Sequence, residues 1–182
     1  MNTATKNLEN DHVHILRLID VMEKMVMAIS TDTAHIETVI SLIKNYADGY
    51  HHSKEENLLF PLLVKKGFSK EQGPVAVMLH EHVEGRNFLK GMKTAVTAYK
   101  NGDDSALSEI YSNMQGYIDL LRAHIGKENN VLFRMADKAL SPEEQLDLLN
   151  AFAALEMTVY TNGHITEYLV EIEELEAIYK GD

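Results

Sequence analysis

A ten-residue pattern of this chain occurs twice. His51-His52-Ser53-Lys54-Glu55-Glu56-Asn57-Leu58-Leu59-Phe60 aligns with His124-Ile125-Gly126-Lys127-Glu128-Asn129-Asn130-Val131-Leu132-Phe133, and both read HxxKExNxLF. In each copy a histidine stands four residues before a glutamate, which on an α-helix puts the two on one face, a turn apart. Two such helices can present two imidazoles and two carboxylates to one point, as four-helix bundles do when they build dinuclear metal sites. A single HxxxE arises by chance, but surface salt bridges have no reason to share the Asn and Leu-Phe that follow. His52 could replace His51, paired with Glu56. Its counterpart in the second copy is Ile125, so the repeat selects His51.

The rest of the chain reads as helices arranged around these copies. Helix one is expected from about Lys6 to Ile29, with the seam Leu8, His12, Ile15, Ile19, Met22, Val26, Ile29 in steps of four and three. His12 lies on that seam and His14 beside it. After the capping residues of Ser30-Thr31-Asp32-Thr33, Ile36, Ile40, Ile43 and Ala47 lead a second helix into the first copy, and Pro61 should kink or end it. Ser69-Lys70-Glu71-Gln72 reads as a capping box ahead of Pro74, which opens a third helix with the seam Met78, His82, Gly85, Leu89, Met92, Val96, Tyr99. His82 is therefore inward, whereas His80 with Glu84 belongs to a solvated stripe. Gly85 leaves room at the bundle axis.

Beyond the turn Asn101-Gly102-Asp103-Asp104, a fourth helix carries Ile110, Met114, Tyr117, Leu121, His124, Glu128, Val131 and Met135 along one unbroken seam. A glutamate at a core position is costly unless it is paired or bound to a metal. Ser141-Pro142-Glu143-Glu144 is a second capping box, for a helix to about Tyr160. A break at Thr161-Asn162-Gly163 precedes an acidic last helix, His164 to Tyr179. The expected division is a bundle over residues 1–140 and a helical extension over 141–182 packed on it. The bland alternative is a plain bundle in which His12 is a core histidine bonded to a carbonyl.

Composition narrows the chemistry. The chain has 182 residues and no cysteine, so disulfides, thiolate metal sites and iron–sulfur ligation are excluded, and any metal must be held by nitrogen and oxygen. A formal charge of −11 without a Lys/Arg cluster argues against nucleic acid or an anionic membrane as partner. The N-terminus lacks a basic stretch followed by an apolar run, and no later run spans a bilayer, so the expectation is a cytoplasmic protein. No glycine-rich phosphate loop or nucleophile elbow is present.

With His12, His51-x-x-x-Glu55, His82 and His124-x-x-x-Glu128 in hand, the chain resembles the hemerythrin-like, or HHE cation-binding, family. The similarity covers about the first 140 residues, where Asp11-His12, HHxKEExxLFP, EHxxGR (Glu81 to Arg86) and HxxKENxxLF look like its helix signatures. The resemblance implies an all-α, left-handed up-and-down four-helix bundle with additional C-terminal helices. It also implies a non-haem di-iron centre, with manganese as the other metal these donors suit. The implied ligands are His12, His51, Glu55, His82, His124 and Glu128, with both glutamates bridging and an oxo or hydroxo bridge between the metals. Oxygen carriers of the family have HxxxH on the third helix. Here Met78 stands four residues before His82, so one metal is expected to keep an exchangeable position.

The order H, HxxxE, H, HxxxE is closer to the di-iron domain of iron–sulfur cluster repair proteins, whose cysteine-bearing N-terminal domain is expected to be absent. The implied function is binding of, or reaction with, O2, peroxide or NO, in sensing, detoxification or redox and iron–sulfur repair, as a di-iron oxidoreductase or a peroxide- or NO-reactive protein. The alternative is an iron-responsive module regulating a protein partner or acting as a homodimer.

Overall fold

In the computed structural model, which describes residues 3–159 and 164–180, every regular element is a helix. Helix α1 (Ala4–Ala28) starts where the Thr3 side chain accepts the Lys6 N–H, and its seam buries Leu8, His12, Ile15, Ile19 and Met22. Ile29 does not continue that seam. It is the C-cap, at φ 47°, and it is exposed because the chain turns there. Helix α2 covers 33–65, and Asp32 caps it by accepting the N–H groups of Ala34 (2.9 Å) and His35 (3.2 Å).

Helix α2 is not uniform. An α-helical start, Thr33–Leu42, gives way to π-helical turns at Ile43–His52 and Glu55–Leu59, and α geometry returns at Phe60–Lys65. Pro61 therefore does not end the helix. It sits in the first turn of the restored α segment, where the bonding pattern is already changing and a missing N–H costs little.

Helix α3 (Pro74–Lys100) opens on proline as expected, with Gly73 at φ 81° before it. Ser69 caps the preceding turn rather than the helix, accepting from the N–H groups of Glu71 (3.0 Å) and Gln72 (3.3 Å). Helix α4 covers 106–139 and again holds a π segment, Glu128–Leu132, between Ala106–Lys127 and Phe133–Ala139. That extra residue per turn shifts the register. Val131 and Met135, expected on the seam, are 48% and 40% exposed, and Leu132, Phe133 and Ala136 turn inward instead.

Helix α5 (Pro142–Val159) begins with a reciprocal box: the Ser141 N–H donates to Glu144 (2.9 Å) and the Glu144 N–H to Ser141 Oγ (3.3 Å). Helix α6 (His164–Ile178) follows, and the break expected at Thr161-Asn162-Gly163 lies outside the described residues.

Helices α1 to α4 form an up-and-down bundle in which α3 packs most intimately on α4. The α3–α4 contact is close at glycine: a Cβ on Gly116 would lie 2.4 Å from the Phe88 ring. Gly85 differs, because its nearest neighbour would be Tyr117 Cε2 at 3.6 Å. Gly116→Ala is expected to destabilise by about 1 kcal/mol, overpacking outweighing the gain in helix propensity. Gly85→Ala should be neutral or stabilising by up to about 1 kcal/mol. Urea midpoints of the two variants test the contrast.

The bundle interior has two apolar clusters. One runs from Ile15 through Met22, Tyr46, Met92 and Met114, and α6 adds Ile172 and Leu175 to it. The other gathers Leu8, Leu59, Phe60, Met78 and Phe133, and α5 adds Leu148 and Phe152. Arg17 ties α1 to α6 through a two-pronged ion pair with Glu176, at 2.9 and 2.6 Å. Among the described residues no helix is long and apolar enough to cross a membrane.

Candidate metal centre

Between the two apolar clusters lies a polar belt of five histidines and two glutamates, none more than 5% exposed: His12, His51, His52, Glu55, His82, His124 and Glu128. Each bundle helix contributes. Their atoms fall into two groups, His12, His51, Glu55 and Glu128, and His52, Glu55, His82 and His124, within each of which one donor atom per residue lies inside 4.8 Å of the others. Glu55 turns one oxygen to each group, Oε1 at 3.6 Å from His51 Nε2 and Oε2 at 3.4 Å from His82 Nε2. Glu128 Oε2 lies 3.2 Å from His12 Nε2 and 3.3 Å from His124 Nε2.

Every Nδ1 of the five rings meets an oxygen. His12 donates to Asn129 (2.7 Å), His51 to Asp11 (3.2 Å), His52 to Asp48 (3.2 Å), His82 to Glu56 (2.7 Å) and His124 to Glu81 (2.9 Å). An imidazole that donates from Nδ1 and is otherwise neutral leaves its Nε2 lone pair free, which is how metal-binding histidines are held. Inside the belt, Nε2 faces Nε2 at 2.9 Å (His12 and His51) and 3.2 Å (His82 and His124). All four carboxylate oxygens of Glu55 and Glu128 are buried without a hydrogen-bond donor. Inward lone pairs and anions with nothing to bind are the surroundings of a cation.

The electrostatics of the metal-free belt are divided. Burial drives the His51 pKa down to about 4, helped by His12, and drives His52 and His82 down as well. Burial and the facing Glu128 push the Glu55 carboxyl well above its ordinary range. Burial also acts on His124, but Glu128 and Glu81 outweigh it and raise the ring to about 9. Without a cation the belt neutralises itself with protons, which metal ions would displace.

The geometry also explains much of the repeat. Lys54 donates to Asp11 (2.8 Å), which holds His51, and Lys127 pairs with Glu81, which holds His124. The residue after each glutamate, Glu56 or Asn129, holds a histidine on another helix. The closing phenylalanines stack on those same rings, Phe133 on His12 (5.5 Å) and Phe60 on His82 (6.0 Å). Asp11-His12 of α1 thus corresponds to Glu81-His82 of α3, and the belt has an approximate two-fold arrangement.

His52 breaks it, a residue that the repeat had set aside in favour of His51. Neighbouring residues diverge by about 100° in an α-helix, which sets the two rings of a doublet well apart. The π geometry of Ile43–His52 narrows this to about 80°, and both rings turn inward. The signal was Asp48, four residues earlier and on the same face. The imidazole expected to be missing at Met78 comes from α2 instead: His52 stacks on His82 at 3.7 Å, while Met78 is buried in the apolar cluster beneath. His80 and His164 are exposed and pair with Glu84 and Glu167, and His14 lies by Arg17, so none reaches the belt.

The chain belongs to the Hemerythrin HHE cation binding domain family, which matches it over residues 3–136. Among relatives, a probable iron-sulfur cluster repair protein of Haemophilus influenzae is 33% identical over 56% of this chain and 47% of its own length. Iron-sulfur cluster repair proteins YtfE of Escherichia coli and Escherichia fergusonii are 34% identical over 47% of this chain and 40% of theirs. The match thus spans less than half the length of these relatives. No solved structure matches significantly.

Proposed function

We propose that the chain is a di-iron protein whose centre binds or reacts with small oxygen or nitrogen oxide species: dioxygen, peroxide or nitric oxide. One observation carries this reading: the inner nitrogens of five histidines and four carboxylate oxygens without a donor converge in a buried layer. Glu55 and Glu128 would be shared between two ions, His12 and His51 would hold one of them, and His52, His82 and His124 the other. Histidine with carboxylate suits iron or manganese. Two bound irons would supply redox equivalents and polarise a small ligand.

The chain's own residues do the rest. Asp11, Asp48, Glu56, Glu81 and Asn129 keep the Nδ1 protons on the outer side of the rings and the lone pairs inward. Phe60 and Phe133 exclude water from beneath. Residues 1–140 act as the metal-binding unit and 141–182 as an extension packed on it. The repair proteins among the relatives support a redox or repair role.

A second reading, an iron-responsive module, is favoured by one contact: Phe152 of α5 lies 5.6 Å from Lys54 Nζ, which holds Asp11 and through it His51. Loading with ferrous iron under anaerobic conditions, followed by metal analysis and visible spectra in air with and without azide, tests the first reading. About two irons per chain and azide-sensitive bands are expected. A colourless, metal-free product sinks it. Slower hydrogen exchange in α5 on loading would favour the second reading, and unchanged exchange would remove it.

A further inference from the structure

Three departures from the approximate two-fold arrangement of the belt occur together. Matching His12 with His82 pairs Leu16 with Arg86, and matching His51 with His124 pairs Asp48 with Leu121 and His52 with Ile125. Leu16, Leu121 and Ile125 pack in one of the apolar clusters. Their counterparts Arg86, Asp48 and His52 are joined instead in one polar chain.

Arg86 of α3 is the hub of that chain. Its Nε donates to Asp48 Oδ1 (2.8 Å) and its Nη2 to Glu56 Oε1 (2.7 Å), with Nη2 also 2.7 Å from Asp48 Oδ1. The same two oxygens accept the Nδ1–H groups of His52 (3.2 Å) and His82 (2.7 Å), whose rings stack on each other at 3.7 Å. One guanidinium thus fixes two carboxylates of α2, and through them two rings of the three-histidine group. A planar fork suits this task, because its donors hold two acceptors at a set angle, whereas an ammonium holds them loosely. In the other group the rings are held by Asn129 and Asp11, of which Lys54 secures Asp11.

We infer that Arg86 is a positioning residue of the centre: acting through Asp48 and Glu56, it keeps His52 and His82 turned inward and so sets how tightly the three-histidine position holds its ion. The inference rests on the di-iron reading.

Arg122 supplies a matched comparison. Its side chain is 39% exposed where that of Arg86 is 40%, and it too bridges two carboxylates, Asp20 and Glu23, each at 2.8 Å. Those carboxylates hold no histidine of the belt. In chelator competition on the iron-loaded protein, Arg86→Gln should bind one of its two irons roughly 10- to 100-fold more weakly, the usual cost of disturbing the outer partners of ligating histidines. Arg86→Lys should recover part of that loss, and Arg122→Gln should hold both irons as the wild type does. Without metal, Arg86→Gln and Arg122→Gln should melt close to the wild type and to each other, because partly exposed ion pairs contribute little. Two irons held as tightly in Arg86→Gln as in the wild type overturn the role of Arg86 and leave the di-iron reading standing. So does a metal-free melting temperature several degrees below that of Arg122→Gln, because the residue would then be structural. Failure of the wild type to take up iron removes the inference together with the di-iron reading.

Discussion

Replacing Glu128 with alanine is expected to leave the protein almost free of iron, whereas His12→Ala should keep about half its iron, because a bridging carboxylate serves two ions and an imidazole one. The geometry behind this is specific. A single oxygen, Glu128 Oε2, lies 3.2 Å from His12 Nε2 and 3.3 Å from His124 Nε2, histidines of different groups, although Glu55 is the residue that both groups share. Iron content after anaerobic loading, with helix content checked by circular dichroism, decides the matter. Equal loading of the two variants would contradict the bridging role.

The second large effect concerns Lys54, which is fully buried although charged. Its ammonium donates to Asp11 (2.8 Å) and Asn7 (2.9 Å) and lies 3.9 Å from the centre of the Tyr50 ring. Breaking a buried pair strands the remaining charge, so Lys54→Ala should destabilise the metal-free protein by about 3–5 kcal/mol. Lys127, its counterpart in the repeat, makes the matching pair with Glu81 at the surface, 43% exposed. Lys127→Ala should therefore cost under about 1 kcal/mol. Denaturation midpoints of the two variants test whether burial, rather than the motif, sets the value of the lysine; equal losses would refute it.

Much of the belt was legible because α-helical periodicity and a duplicated motif point at the same residues. His12 and His82 stand on seams that step by four and three, and the repeat picks out His51, Glu55, His124 and Glu128; all six lie in the buried layer. What escaped lies where the helix is not an α-helix. The π turn at Ile43–His52 brings in His52, and the one at Glu128–Leu132 turns Val131 and Met135 out. Periodicity assumes a constant angle per residue, so a widened turn defeats it. The outer oxygens escaped for another reason. Glu56 and Asn129 act on histidines of other helices, and Asp11 on a ring 40 positions away, which no local pattern reveals.

The crossing of these supports has a consequence for the order of assembly. Within the hairpin of α1 and α2, Asp11 holds His51, and within that of α3 and α4, Glu81 holds His124. His12 and His82, however, are each oriented only from the opposite hairpin, by Asn129 and Glu56. Neither hairpin alone can offer a finished set of donors. Ion capture is then expected to follow docking of the two halves and to add its stabilisation after the folding transition state. Iron would accordingly lengthen the lifetime of the folded protein while leaving the speed at which it folds unchanged.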